Sequence, residues 1–110
     1  MTLWVDEHDR IRKFELTGHA NFAPYGQDIV CAGVSALSIA AVNGLEHFLS
    51  VAPQVEETEG FLTCVLSELD ERELEQAQWI LQTMRLGIEE IQRTYGQEYV
   101  KVEQRRWTPC

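Results

Sequence analysis

Positive charge is what this sequence has least of. Nine lysines and arginines stand against eighteen aspartates and glutamates in 110 residues, a formal net charge of −9 at pH 7. Phosphate binding needs a basic face, so direct nucleic-acid binding is not expected, and a basic protein or peptide is the better electrostatic partner. Cysteine is also scarce. Its three copies, an odd number without close pairing, argue against a disulfide framework and for a reducing compartment. No Cys or His pair has the spacing of zinc ligands and there is no Cys-x-x-Cys, so neither a metal site, thioredoxin-like chemistry nor a cofactor is expected. The N-terminus, Met1-Thr2-Leu3-Trp4-Val5-Asp6, has neither the basic flank nor the apolar stretch of a signal peptide. Uncharged apolar runs fall short of the roughly 20 residues of a membrane span, Ile29 to Val42 coming nearest. These absences together predict a cytoplasmic protein without a membrane partner.

What is present is an ordinary globular composition, 45% apolar and 25% charged, and a length that suits one domain over residues 1–110. No internal repeat, low-complexity tract or linker interrupts it. Thr2 to Asp6 reads as a strand, Glu7-His8-Asp9 as a turn, and Arg12 to Leu16 as a half-buried strand with Phe14 and Leu16 on one face. Ile29 to Ser50 is helix-compatible, with Val30, Val34, Leu37, Ala41, Leu45 and Phe48 on one face and much of the remainder small or apolar. So apolar a helix calls for cover on more than one side, from a sheet and from a second subunit. Pro53 ends this segment. Val55 to Thr58 and Phe61 to Leu66 flank a Glu59-Gly60 turn as a second hairpin, with Cys64 as a packed core thiol.

Asp70-Glu71-Arg72-Glu73 has the form of a capping box and opens a second helix, whose apolar positions run Leu74, Ala77, Leu81, Met84, Ile88, Ile91 and Tyr95. Gly96 closes it. Tyr99 to Glu103 alternates as a last strand, and Gln104 to Cys110 reads as a loosely held polar tail. The order β-β-α-β-β-α-β predicts an α/β fold of the α+β kind: a mostly antiparallel sheet of about five strands with two helices packed on it.

Candidate chemistry gathers between the second strand and the first helix. His19 leads a stretch rich in turn formers, Asp28 has the side chain of a helix N-cap, and Cys31 then falls in the first helical turn. Unpaired N–H groups and the helix dipole at such a position favour a thiolate. A loop of that length can bring an imidazole to the sulfur, the minimum kit of a thiol protease. Spacing alone leaves Cys31 open to being a packed core residue, since cysteine is among the most buried residue types. Asp28 has two candidate roles, capping the helix or orienting the imidazole. Ala32 and Gly33 are small enough to let a substrate backbone approach, and Phe22 and Tyr25 are candidate lid residues contacting an aromatic substrate side chain or, equally, loop packing. Ser35, one turn beyond Cys31, is a helix residue that could hydrogen-bond near the sulfur or to its own backbone.

The blocks Gly18-His19-Ala20 and Gly26-Gln27-Asp28-Ile29-Val30-Cys31-Ala32-Gly33-Val34-Ser35-Ala36-Leu37 closely resemble the signature of the bacterial ribosomal-processing cysteine proteases (Prp). The resemblance extends along the chain in size and element order. It implies an endopeptidase that removes a short N-terminal extension from a large-subunit ribosomal protein precursor, cleaving after an aromatic residue. It also implies a homodimer, with Cys31 as nucleophile, His19 as general base and acid, and Asp28 in a supporting role. In the mechanism so implied, backbone N–H groups at the helix start hold the oxyanion. The alternative from another class is a non-catalytic ribosome-assembly or protein-binding module that uses the same loop and helix start to hold a partner.

Overall fold

The computed structural model describes residues 1–17, 25–96 and 98–108, with residues 25–28 described through their backbone alone. In chain order the elements are β1 (Thr2–Val5), β2 (Ile11–Thr17), α1 (Tyr25–Phe48), β3 (Gln54–Thr58), β4 (Phe61–Val65), α2 (Glu71–Tyr95) and β5 (Glu103–Arg106). The strands form one sheet in the order β3-β4-β2-β1-β5. The β1–β2, β2–β4 and β3–β4 pairings are antiparallel and β1–β5 is parallel. This is the α+β arrangement expected from the order of the elements.

Alternation decides which face of the sheet is covered. Leu3, Phe14 and Cys64 share a row across β1, β2 and β4, and all three are buried in one apolar cluster with residues of both helices. On α1 the buried stripe is Val30, Val34, Ser38, Ala41, Val42 and Leu45, continued by Leu49 just past its end. It follows the 3.6-residue helical period, so it departs from the expected face at two places. Ser38 takes the core position beside a half-buried Leu37, and Phe48 is 71% exposed where Leu49 is buried. Ser38 is tolerated there because its hydroxyl donates to the Val34 carbonyl at 2.8 Å. The apolar run is also longer than Ile29 to Val42: Ile29–Phe48 has the length and composition of a membrane-crossing helix, although here one side of it packs in the core.

The second helix begins at the expected cap, where Asp70 accepts a hydrogen bond from the Glu73 N–H at 2.8 Å. The other half of the capping box is not made. Glu73 instead reaches Ser50, accepting from its N–H at 2.7 Å and its hydroxyl at 2.6 Å, and so ties the start of α2 to the end of α1. Leu74, Ala77, Leu81, Met84 and Ile88 are buried as the stripe requires, while Tyr95 is exposed. Gly96 ends the helix at φ 104°, a backbone that other residues resist.

The two helices pack side by side at close range. A Cβ on Gly87 would lie 2.8 Å from Leu37 Cδ1, and one on Gly33 would lie 3.1 Å from Ile91 Cδ1. Both glycines are spacers that let the helices approach.

The last strand differs from expectation. Tyr99 to Val102 is not strand, and β5 begins at Glu103, the last residue of the expected strand, and runs on into the segment read as a polar tail. Val100 supplied the apparent alternation because it plugs the core, 7% exposed. Glu103–Arg106, exposed throughout, is held by main-chain pairing to β1 from Thr2↔Glu103 to Val5↔Arg106. Trp107 extends the pairing, its N–H donating to the Val5 carbonyl at 2.8 Å. An edge strand of this kind leaves no apolar pattern to read.

Candidate active site

The N-terminal half of α1 lies over the end of β2, and between them opens a cavity of about 300 Å³. Its described walls come from four places. Val30, Cys31, Val34 and Ser35 face it from α1, and Leu16 and Thr17 from the end of β2. Met1 and Thr2 close it from the first strand, and Tyr99, Val100, Lys101 and Glu103 from the segment leading into β5. That last segment is fixed to the chain start: the Met1 ammonium donates to the Lys101 carbonyl at 2.7 Å, and the Glu103 N–H donates to the Met1 carbonyl at 2.9 Å. Burial lowers the pKa of that amino group, and the carboxylate of Glu103 opposes the shift.

Cys31 is a free, half-buried thiol on this cavity. Cys64 is the contrasting case. It is 2% exposed on β4, and burial, reinforced by Glu46, pushes its thiol up to about 12, so it is inert packing as expected.

One expectation about Cys31 is corrected. The helix begins at Tyr25, so Asp28 is its fourth residue rather than its N-cap, and Cys31 is its seventh. The dipole field and the unpaired N–H groups of a helix start fade within the first turn. Cys31 therefore sits beyond them, and its N–H falls inside the helical ladder rather than free to hold an oxyanion. Among the described residues, the hydroxyl-bearing side chains around the cavity are Thr2, Thr17, Ser35 and Tyr99. Capping is thereby removed from the two roles of Asp28; its side chain, like that of Tyr25, lies outside the described residues. His19 and Phe22 also lie outside them.

The small residues after the cysteine separate. Gly33 faces Ile91 of α2, so its smallness serves helix packing. Ala32 is exposed and is not among the described cavity walls.

Over residues 1–101 the chain matches the family model described as cysteine protease Prp. It belongs to that family. The ribosomal processing cysteine protease Prp of Bacillus subtilis is 40% identical over 92 residues, covering 80% of this chain and 82% of the relative. That of Staphylococcus aureus is 30% identical over 93 residues, covering 84% and 87%. Among solved structures, the essential ribosomal processing protease Prp from S. aureus with a covalently linked product peptide superposes at a TM-score of 0.79. It is 28% identical, with 94% of this chain and 96% of that one covered. The same S. aureus protease in complex with a substrate peptide gives a TM-score of 0.77 at 25% identity, with 96% of each chain covered.

Within this Prp-family chain, several cavity residues were invisible to motif reading. Leu16 and Thr17 read as ordinary strand, Tyr99 and Lys101 as a last strand, and Glu103 as its end. No spacing rule links residue 17 to residue 31 or to residue 101; the sheet order brings them together. The alternation of Arg12 to Leu16 was the one usable signal, because it aims Leu16 at the helix-covered face.

Proposed function

We propose that this chain is a ribosomal-processing cysteine endopeptidase that removes the N-terminal extension of a large-subunit ribosomal protein precursor after an aromatic residue. The observation that carries this reading is that Cys31 and Thr17 line one cavity. His19 follows Thr17 by two residues, a chain reach of about 7 Å at most. Covalent connectivity thus permits the imidazole to approach the thiol. Membership in a family of named cysteine proteases, and superposition on a relative that carries a covalently linked peptide, support the same chemistry.

In the proposed mechanism His19 takes the proton of Cys31 and the sulfur attacks the scissile carbonyl. His19 then protonates the leaving amine, and water releases the acyl group from sulfur. Asp28 is assigned to orienting the imidazole, and Phe22 and Tyr25 to contacting the substrate's aromatic residue. Residues 1–110 act as a single domain, in the cytoplasm, with no cofactor and no direct contact to nucleic acid. A homodimer is supported by large apolar side chains left in water on the second helix, Trp79 and Leu86 among them.

The test is intact-mass spectrometry of the ribosomal protein precursor after incubation with the native chain and with Cys31→Ala. Loss of the extension with the native chain alone is expected. Stable binding of the precursor by both forms without cleavage would overturn the protease in favour of a binding module.

A further inference from the structure

A second cavity, of about 110 Å³, lies beside the one that holds Cys31. Leu16 and Ser35 line both, so a single wall divides them. Beyond that wall the sheet supplies a row of partners, Leu16 to Leu62 across β2 and β4, then Leu62 to Glu57 across β4 and β3. The row runs from the wall of the Cys31 cavity to the free edge of the sheet. Ile39 overhangs it, one helical turn beyond Ser35, and Phe61 closes the hairpin end.

The chemistry of this cavity is divided. Its floor is apolar, with Leu62 buried, while Ile39 at its lip keeps 45% of its surface in water. An apolar side chain half in water beside a cavity is poised to gain from an apolar occupant. The outer rim is acidic: Glu57 lines it, and Glu59 is exposed in the adjoining turn.

We propose that this second cavity is a side-chain pocket for the peptide cleaved at Cys31, taking an apolar residue close to the scissile bond while Glu57 meets a basic neighbour. The proposal rests on the protease reading above and adds a determinant of its specificity. Continuity with the Cys31 cavity names the occupant. In an extended peptide, residues two apart project to the same side about 7 Å from each other, which suits two cavities divided by one wall. The acidic edge strand favours positive charge on the peptide that passes it.

The experiment compares the native chain with Ile39→Asp and Glu57→Lys on a mixed peptide library, reading cleavage sites by mass spectrometry. Both positions are solvent-accessible, and Ile39→Ala serves as a milder variant should the aspartate disturb the helix. The native chain is expected to select an apolar residue at one position near the scissile bond and a basic residue beside it. Ile39→Asp should flatten the apolar preference and lower kcat/KM for the preferred peptide about ten-fold. Glu57→Lys should exchange the basic preference for an acidic one, a change of about two- to five-fold. Alkylation of Cys31 by iodoacetamide should be unchanged in both, separating pocket from nucleophile. Identical selectivity in all forms would overturn the pocket and leave the protease standing. If the native chain cleaves nothing, the protease reading falls. The pocket is then judged by binding of a fluorescein-labelled precursor-junction peptide to Cys31→Ala: about ten-fold weakening by Ile39→Asp supports it, and equal affinity refutes it.

Discussion

Replacing Gln78 should cost far more stability than an ordinary surface polar substitution, because its amide completes the sheet where a strand runs out. The β2–β4 pairing ends at Lys13↔Val65, followed by one bond from the Leu66 N–H to the Arg12 carbonyl at 2.9 Å. Next in line is Ile11, fully buried, with no strand opposite on that side. Gln78, 9% exposed on α2, takes both of its main-chain groups: the Ile11 N–H donates to Oε1 at 2.7 Å and Nε2 donates to the Ile11 carbonyl at 2.9 Å. Gln78→Met keeps length and shape and removes both bonds. A buried main-chain group left without a partner costs about 1–3 kcal/mol, so two cost roughly 2–6 kcal/mol, a large part of the typical 5–15 kcal/mol of a small domain. Urea unfolding followed by circular dichroism measures this as a lower midpoint at unchanged slope.

Gln78→Glu provides a control with a pH signature. At neutral pH its carboxylate can accept from the Ile11 N–H but faces the Ile11 carbonyl without a proton to donate. A protonated carboxyl restores that donor, so the deficit should shrink as pH falls and grow as it rises. A Gln78→Met variant within about 0.5 kcal/mol of the native chain would refute the reasoning, since it would mean that water or another group satisfies Ile11 at no cost.

Two further outcomes are expected. Iodoacetamide should modify Cys31 in the folded protein and reach Cys64 only after unfolding, as read by peptide mapping. His19→Ala should move the Cys31 reaction to higher pH, and an unmoved profile would remove the histidine from the site. In Asp6, burial alone would raise the carboxyl pKa. Hydrogen bonds from Arg12 at 2.8 Å, the Arg10 N–H at 3.0 Å, the His8 N–H at 2.8 Å and the Arg10 side chain at 3.0 Å outweigh it and hold the carboxyl well below the usual range. Its contribution is therefore complete above the unfolded value of 3.8 and fades as pH drops below it. Asp6→Asn should lose about 2–4 kcal/mol at pH 7 and show a flatter acid limb in thermal melts. An acid limb as steep as the native one would show that Asp6 does not set it.

Periodicity by itself determined the element order, both hairpins, the Asp70 cap and Gly96 stop of α2, and the burial of Cys64. These are local properties: side-chain alternation and helical stripes are written in consecutive residues. The block around His19 and Cys31 carried the family likeness for the same reason. Tertiary structure alone decided the rest. It started α1 at Tyr25, ahead of the favourable cap at Asp28, and moved Glu73 from its own helix start to Ser50. Gly33 became a spacer against Ile91, and a polar segment became β5 through main-chain pairing that no side-chain pattern records. The walls of the Cys31 cavity come from residues 1–2, 16–17, 30–35 and 99–103. Separate segments of this kind meet only when a sheet sets their order, so the chain spells its candidate cysteine locally and builds the surroundings of that thiol by folding.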